Sequence, residues 1–170
     1  MFLCNGILFN HESERRGDNF VTQKIINFVK KVSKLKENNN YLENQEVLEL
    51  GNINSKRDWG HAKDYVNGMW LMLQQDNPDD YVLASGKTYS IKEFIEKSFN
   101  KININILWKG ESLNEIGMDS ETNKILIKIN KKYFRPSEVD LLLGNPIKAI
   151  NKLNWKREYD TLDKLIESML

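Results

Sequence analysis

Several residue types that define common protein classes are scarce in this sequence, and each scarcity narrows the possible functions. The 170 residues contain one cysteine, Cys4, so no internal disulfide can form, and its apolar surroundings favour a small core residue. The two histidines have no paired cysteines, and we therefore expect no metal site. No apolar stretch approaches the roughly 20 residues of a membrane span, and no basic region followed by an apolar one opens the chain. We expect a cytoplasmic protein.

Opposite charges nearly cancel, which excludes another group of functions. The chain has 25 basic and 24 acidic residues and a net charge of +1. This balance argues against a general electrostatic role on nucleic acid or on an anionic membrane, although it permits a small local anion site. The length suffices for one hydrophobic core.

The apolar pattern predicts a mixed α/β chain without internal repeats. A nearly continuous apolar run over residues 2–9 predicts a strand covered on both faces, as in a parallel α/β sheet. A polar loop over 10–17 follows, and then an amphipathic helix that starts near Val21, with Asp18 or Asn19 as its cap. If the first strand belongs to a parallel sheet, its neighbours are missing from this chain.

The remaining segments alternate between strand and helix patterns, and two loops and one turn connect them. We predict loops over 36–46, as a solvated insertion, and over 56–61, and a helical turn over 139–143. Ser90 and Glu93 form a capping box sequence, and Thr161 is placed to cap a last helix. Further strands are predicted over 47–50, 81–84, 102–108 and 125–129, and further helices over 62–73, 91–99, 149–153 and 162–169.

Several catalytic motifs are missing. No glycine-rich phosphate loop follows a strand, and no Ser/His/Asp set has a recognisable context. No tyrosine is followed four residues later by a lysine on a capped helix, since Tyr159 has Asp163 at that position. We therefore assign no catalytic residue to this chain.

Positive side chains follow the ends of predicted strands instead. Arg15 and Arg16 follow the first strand, Arg57 precedes the second helix, and Arg135 follows a later strand. Ligands of open α/β sheets bind outside the carboxyl ends of the strands, and the guanidinium fork matches phosphate oxygens. Two convergent arginines would suit a diphosphate. Each of them could equally be a solvated surface charge.

Two other polar residues have an ordinary and a functional interpretation. His11 could be a loop histidine bonded to the backbone, or it could donate to a ligand hydroxyl or phosphate. Glu138 could be a surface carboxylate, or it could accept from a ribose hydroxyl. Local pattern does not decide between these interpretations.

Long motifs in this sequence resemble the GDP-mannose 4,6-dehydratase family, and they cover almost the whole chain. They are NGILFNHES at 5–13, RRG at 15–17, NFVT at 19–22, KRDWGHAKDYV at 56–66, MWLMLQ at 69–74, YFRPSEVD at 133–140 and KLNWK at 152–156. The resemblance implies an α/β fold: the C-terminal part of an extended Rossmann-type short-chain dehydrogenase/reductase. That part comprises the last strands of the sheet and the smaller mixed α/β substrate-binding domain.

The resemblance also implies a chemistry. The family converts GDP-mannose to GDP-4-keto-6-deoxymannose, on the way to GDP-fucose. Bound NADP takes a hydride from C4, water leaves across C5 and C6, and the hydride returns at C6. Its catalytic threonine, glutamate, tyrosine and lysine lie upstream of the strand that begins this chain, and none is present here.

Binding residues carry over by position in the motifs. His11 and Arg16 match contacts to NADP, and the substrate contacts are matched by Asn10, Val21, Lys24, Arg57, Arg135 and Glu138. Among these, Val21 and Lys24 match the guanine end, the two arginines match the diphosphate, and Glu138 matches the ribose. Three departures stand nearby: Glu14 replaces a usual proline, Gln23 a usual arginine, and Tyr89 a usual histidine.

These observations predict that residues 1–170 form a single partial unit that is inactive alone. Its partners would be GDP-mannose and either the missing N-terminal half or full-length subunits, in an enzyme that forms a homo-oligomer, without nucleic acid or membrane. Two alternatives remain: a non-catalytic GDP-sugar-binding or subunit-pairing module, and a structural α/β protein whose arginines are scattered rather than convergent.

Overall fold

A computed structural model describes residues 1–44, 46–134 and 139–170 of the chain, which form five α-helices and ten short strands. The helices are α1 (Val21–Glu37), α2 (Ala62–Met72), α3 (Ile91–Asn100), α4 (Ile147–Leu153) and α5 (Leu162–Met169). The strands are β1 (Gly6–Leu8), β2 (Asn10–Glu12), β3 (Leu48–Leu50), β4 (Lys56–Arg57), β5 (Trp59–His61), β6 (Tyr81–Leu83), β7 (Tyr89–Ser90), β8 (Ile106–Lys109), β9 (Ile116–Asp119) and β10 (Ile125–Ile129). Within these residues no helix combines the length and apolar character needed to cross a bilayer.

Two hydrophobic clusters organise these elements. The larger one packs α1, α3 and α5 against a four-stranded sheet of order β3-β10-β9-β8, with Phe94, Phe99 and Ile127 fully buried. The smaller one joins β1 and β6 to α2 and α4 around Tyr65 and Trp155. Helical and strand periodicities in the sequence therefore mark surfaces that are buried in the fold.

The first strand pairs in parallel with β6, in the register Gly6 to Tyr81 and Leu8 to Leu83. This confirms the parallel sheet, and it corrects the expectation that the neighbours of this strand are missing, because β6 is one of them. The other edge of β1 is open among the described residues. Its two faces are not both covered as expected, since Ile7 is 55% exposed.

Two segments predicted as loops form strands. Asn10–Glu12 pairs in parallel with Trp59–His61, and Lys56–Arg57 pairs antiparallel with Tyr89–Ser90. Neither segment has the apolar alternation that would have indicated a strand. The strands are defined instead by main-chain hydrogen bonds between distant parts of the chain. These pairings bring the polar residues of 10–12 and 56–61 to one place.

Helix starts follow the predicted caps in two of three cases. Ser90 and Glu93 form the capping box, and the Thr161 hydroxyl accepts from the Lys164 amide. The third prediction is wrong: α1 begins after Phe20, and no side chain caps it. The carboxylate of Asp18 accepts from Asn27 instead, which removes it from the helix amides.

Other predicted segments need correction. Residues 139–143 are not a helical turn, because Leu141 bridges in parallel to Lys56 through main-chain bonds. Strand β9 was not predicted, and β8 begins only at Ile106. The helix α1 continues to Glu37, so the predicted insertion over 36–46 starts inside it. That segment is not fully solvated either, since Tyr41 is buried and its hydroxyl donates to Asp119 at 2.8 Å.

A buried carboxylate, Asp58, binds two loops beside the paired strands. It is fully buried and accepts from the amides of Ser85, Gly86 and Gly144 at 2.6, 2.9 and 3.1 Å. Gly144 lies so close to Ala84 that an added Cβ would be 2.2 Å from the alanine Cβ. Asp58 therefore holds the backbone beside Arg57 in one arrangement.

Replacing Asp58 by asparagine should destabilise the protein by about 3 kcal/mol, because one carboxylate oxygen becomes an amide that faces buried N–H donors. Urea unfolding monitored by circular dichroism would measure this loss. The matched control is D76N at an exposed position, which should change stability by less than about 0.5 kcal/mol. Equal stability of D58N and wild type would contradict the role of Asp58.

Candidate functional site

A cleft of about 500 Å³ opens at the start of α1, and we call it the α1 cleft. It contains all four predicted substrate residues that the structure describes, Asn10, Val21, Lys24 and Arg57. These residues come from β2, α1 and β4, which are distant along the chain. The remaining lining residues are Glu12, Asn19, Phe20, Thr22, Glu49, Leu50, Gly51, Asn52, Trp59, Ile91, Lys132 and Tyr133.

The first turn of α1 forms one wall of this cleft. Phe20 precedes the helix without a capping side chain, and the first turn has no acidic residue. The amides of a helix's first turn have no partner within the helix, and the helix dipole places partial positive charge there. This wall is therefore suited to an anionic group such as phosphate.

Arg57 also lines this cleft. Its Nη1 donates to the carbonyl of Lys56 at 2.9 Å and to that of Val139 at 2.6 Å. Arg57 pairs with Tyr89 in the β4–β7 ladder, so the departure at position 89 stands beside the predicted diphosphate contact. The two carbonyl bonds hold the guanidinium in a defined orientation.

Arg135 and Glu138, the other two predicted substrate residues, lie outside the described residues. The residues on either side of them are described: Tyr133 lines the α1 cleft, and the carbonyl of Val139 accepts from Arg57. The predicted roles of Arg135 and Glu138 stay predictions.

A second cavity of about 370 Å³, the His11 pocket, contains both predicted cofactor residues. Its lining is Leu8, Phe9, Asn10, His11, Arg16 and Leu142. Because Asn10 lines this pocket and the α1 cleft, the two cavities adjoin at the start of β2. The structure thus separates the predicted cofactor and substrate residues into two cavities that share one residue.

Of the two neighbouring arginines, only Arg16 is held against the protein. Its guanidinium carbon lies 3.5 Å from the centre of the Phe20 ring, and its Nε lies 3.2 Å from Glu12 Oε2 in an ion pair. Nε donates no hydrogen bond within the part of the chain that the structure describes. The side chain of Arg15 is 90% exposed, and its ion pair among the described residues is a 4.0 Å contact to Glu14, so the surface-charge interpretation fits it.

The ring of His11 is oriented by the backbone. Its Nδ1 lies 2.8 Å from the carbonyl of Phe9, which can only accept, so Nδ1 carries the proton. In the neutral ring Nε2 is then an acceptor. A protonated ring would donate from Nε2 as well, so the expectation that His11 donates to a ligand stays a prediction.

Glu12 lies between the two cavities and was not predicted as a site residue. It is 2% exposed, accepts from the Thr22 hydroxyl at 2.6 Å, and pairs with Arg16. Burial raises the pKa of Glu12, and the Thr22 hydrogen bond and the charges of Arg16 and His11 oppose that shift. Glu12 connects the start of α1 to the arginine of the His11 pocket.

Two further lining residues, Glu49 and Lys132, also escaped the sequence analysis. Glu49 alternates with two leucines in β3, and this alternation indicates that its side chain points away from the core. No local signal indicates which cleft it faces, because that depends on the packing of β3 against the rest of the chain. Lys132 stands in a short turn at the end of β10, without a distinctive pattern.

The mixed α/β fold of this chain is Rossmann-type, as its likeness to two solved structures shows. The structure of RMD from Pseudomonas aeruginosa complexed with NADPH matches 98% of this chain and 46% of that one, with a TM-score of 0.68 and 18% identity. A dTDP-glucose 4,6-dehydratase from Bacillus anthracis in complex with NAD matches 98% of this chain and 43% of that one, with a TM-score of 0.67 and 13% identity.

Within that class, the sequence identifies the family. The family model for GDP-mannose 4,6 dehydratase matches residues 1–169. Relatives named GDP-mannose 4,6 dehydratase are 56% identical over 92% of the chain in Dictyostelium discoideum and 51% identical over all of it in Homo sapiens. This chain belongs to the GDP-mannose 4,6-dehydratase family. It spans 42% and 43% of the length of those two relatives.

The pKa shift of Glu12 predicts a pH dependence of stability. Because the folded pKa lies above the ordinary value of 4.5, the stabilising contribution of Glu12 is fully present below pH 4.5 and is lost as the pH rises through the folded pKa. The free energy of unfolding of wild type should therefore fall relative to that of E12Q as the pH rises above 4.5.

Urea unfolding of both proteins between pH 4 and pH 7 would measure this difference, with E111Q as an exposed control. A difference between wild type and E12Q that is constant with pH, or that grows in favour of wild type, would contradict the assignment of burial as the dominant cause.

Proposed function

We propose that this chain is the GDP-mannose-binding portion of a GDP-mannose 4,6-dehydratase, and that it is inactive without the catalytic portion. The observation that carries the proposal is the convergence of Asn10, Val21, Lys24 and Arg57 on one cleft. These residues were matched to substrate contacts from the resemblance alone, and three separate elements bring them together. If the matched residues lay far apart on the surface, the alternative of a structural protein without a ligand would be favoured.

The α1 cleft offers complementary groups for a nucleoside diphosphate sugar. Arg57 and the first-turn amides of α1 face the diphosphate, and together they offer charge-assisted hydrogen bonds to its oxygens. Val21 and Lys24 hold the guanine end. Arg135 would add a second guanidinium to the diphosphate, and Glu138 would accept from the ribose, as the family motif implies.

The His11 pocket would hold the cofactor, which we take to be NADP. His11 Nε2 would contact a ligand hydroxyl or phosphate, and Arg16, held by Glu12 and Phe20, offers its remaining N–H groups to phosphate. When bound, a nicotinamide cofactor supplies the hydride acceptor for sugar oxidation. The solved relatives of this fold with NADPH and NAD support a nicotinamide cofactor, and the choice of NADP rests on the family motif.

Asn10 sets the relation between the two ligands. It lines both cavities, so a sugar at the inner end of the α1 cleft would adjoin the cofactor at this residue. The chain would thus orient the sugar toward the cofactor while the catalytic groups come from the other portion. This division explains why binding residues are present without a catalytic tyrosine and lysine.

An unpartnered apolar surface supports pairing with that catalytic portion or with full-length subunits. Among the described residues one edge of β1 is open, and the outer face of α2 exposes Val66, Met69 and Trp70, followed by Leu73 at the helix end. A cavity of about 670 Å³ runs along this face. A homo-oligomeric complete enzyme and a cytoplasmic location remain part of the proposal.

A second function, a GDP-sugar-binding module without catalysis, is favoured by one observation. The sequence retains the matched binding residues and lacks a tyrosine–lysine pair. The two proposals share the α1 cleft and differ in whether a catalytic portion completes the site.

Substitution of Arg57 by alanine should weaken GDP-mannose binding by about tenfold to a hundredfold, because a charge-assisted contact to the diphosphate is lost. Isothermal titration calorimetry would measure the affinity. R57K should recover only part of it, since lysine keeps the charge without the fork. K109A, at an exposed position on β8, serves as the control. Equal affinities of R57A and wild type would sink the assignment of this cleft.

The purified chain should give no 4-keto sugar from GDP-mannose and NADP, since it supplies binding groups but no proton-transfer groups. Adding the separately expressed N-terminal portion of the 51% identical human relative tests whether catalysis can be completed. Product from the mixture supports a dehydratase portion, and absence of product with retained GDP-mannose binding supports the binding module. Turnover by the chain alone would overturn the first proposal.

A further inference from the structure

We infer that Glu12 is a positioning residue that links the two cavities. A ligand that bonds the Thr22 hydroxyl in the α1 cleft frees the Glu12 carboxylate to bond Arg16 in the His11 pocket. This inference rests on the proposed function and deepens it, because it makes the orientation of a cofactor residue depend on the substrate. It is carried by one buried carboxylate oxygen that contacts both Thr22 and Arg16.

The Glu12 carboxylate stands between one residue of each cavity. Its Oε2 accepts at 2.6 Å from the hydroxyl of Thr22, which lines the α1 cleft. The same oxygen lies 3.2 Å from Nε of Arg16, which lines the His11 pocket. Glu12 and Thr22 are only 2% and 1% exposed, so protein groups rather than bulk water must satisfy this carboxylate.

Of these two contacts, only the one from Thr22 is a hydrogen bond. Nε of Arg16 is buried and donates no hydrogen bond within the described residues, although Oε2 is close enough to accept one. A donor at such a distance stays unbonded when its N–H is not directed at the acceptor. Thr22 therefore sets the orientation of the carboxylate, and Arg16 is left with a buried donor that is not satisfied.

A ligand in the α1 cleft would change this arrangement at Thr22. Thr22 is the second residue of α1 and belongs to the turn whose amides would hold the diphosphate. A phosphate oxygen at that turn is a charged acceptor, and it competes with Glu12 Oε2 for the Thr22 hydroxyl. A buried carboxylate that loses a donor is destabilised until it finds another. Nε of Arg16 is an unbonded donor that is already within reach.

The bond between Glu12 and Arg16 would orient the cofactor residue. The ring of Phe20 supports the guanidinium of Arg16, whose carbon lies 3.5 Å from the ring centre. Phe20 also lines the α1 cleft, so both contacts that hold Arg16 come from substrate-side residues. A hydrogen bond from Nε adds a fixed direction to this stacking and leaves the Nη groups for a cofactor phosphate. Substrate binding thus prepares the cofactor pocket, and by linkage the cofactor strengthens substrate binding.

The test follows the Nε–H signal of Arg16 by NMR while the isotope-labelled chain is titrated with GDP-mannose. The signal is identified by its absence from the spectrum of R16K. In wild type it should move downfield, because an N–H that bonds a carboxylate is deshielded, and it should do so with the same affinity as the first-turn amides of α1. Guanosine, which lacks the diphosphate, should not move it.

Substitutions at Thr22 separate this mechanism from a direct contact between the ligand and Arg16. T22V removes the hydroxyl, so the carboxylate is free for Arg16 before any ligand is added. The Arg16 signal of T22V should therefore start downfield and should not move further when GDP-mannose binds. T22S keeps the hydroxyl and should restore the movement. Unfolding curves establish that the variants are folded, and T22A replaces T22V if that variant does not fold.

Two results would overturn the inference and leave the proposed function standing. The first is a stationary Arg16 signal in wild type although the first-turn amides of α1 respond to GDP-mannose. The second is a downfield movement of equal size in T22V and in wild type, which would assign it to direct contact between the ligand and Arg16. Absence of any response in the α1 cleft of wild type overturns the inference and the proposed function together.

Discussion

The parallel pairing of β2 with β5 is the interaction on which the candidate site depends. Three residues at each strand, Asn10–Glu12 and Trp59–His61, join segments that are about fifty positions apart in the sequence. This pairing puts Asn10 and Glu12 beside Arg57 and fixes the start of α1 relative to both. Without it, the predicted substrate residues would belong to unrelated parts of the surface.

Buried polar contacts then fix this arrangement on both sides. Asp58 accepts hydrogen bonds from the loops at Ser85 and Gly144. Glu12 accepts from Thr22 and forms an ion pair with Arg16. A buried carboxylate is tolerated only when donors surround it, so each of these two residues constrains several backbone segments at once. Each carboxylate loses solvation on burial, and the hydrogen bonds that compensate this loss fix the geometry around it. The site can therefore present a cation, helix amides and acceptors in fixed positions.

Sequence patterns predicted the regular elements well, because the signals of those elements are local. The capping box at Ser90 and the helical spacing from Val21 are properties of a few neighbouring residues. The strands at 10–12 and 56–61 could not be found in that way, since their residues are polar and their partners lie far along the chain. The cap of α1 was missed because Asp18 bonds to Asn27 instead.

The candidate site shows the same division. Family motifs supplied Asn10, Lys24 and Arg57, and the fold brings them to one cleft. Residues without a motif, such as Glu12 and Glu49, became visible only through burial and contacts. The backbone carbonyl of Phe9 fixes a proton on Nδ1 of His11 and so leaves Nε2 for a ligand, which the sequence could not indicate. The kind of group that a side chain can bind was predictable from its residue type. The orientation of that side chain depends on its neighbours in the fold.

The central claim is that the α1 cleft and the adjoining His11 pocket form a nucleotide-sugar site at the start of β2. A titration of the isotope-labelled chain with GDP-mannose, followed by two-dimensional amide NMR, tests it most directly. Resonances of residues 10–24, 49–59 and 132–133 should shift together with one affinity. Shifts confined to β8 and β9, or no shifts at millimolar ligand, would contradict the account.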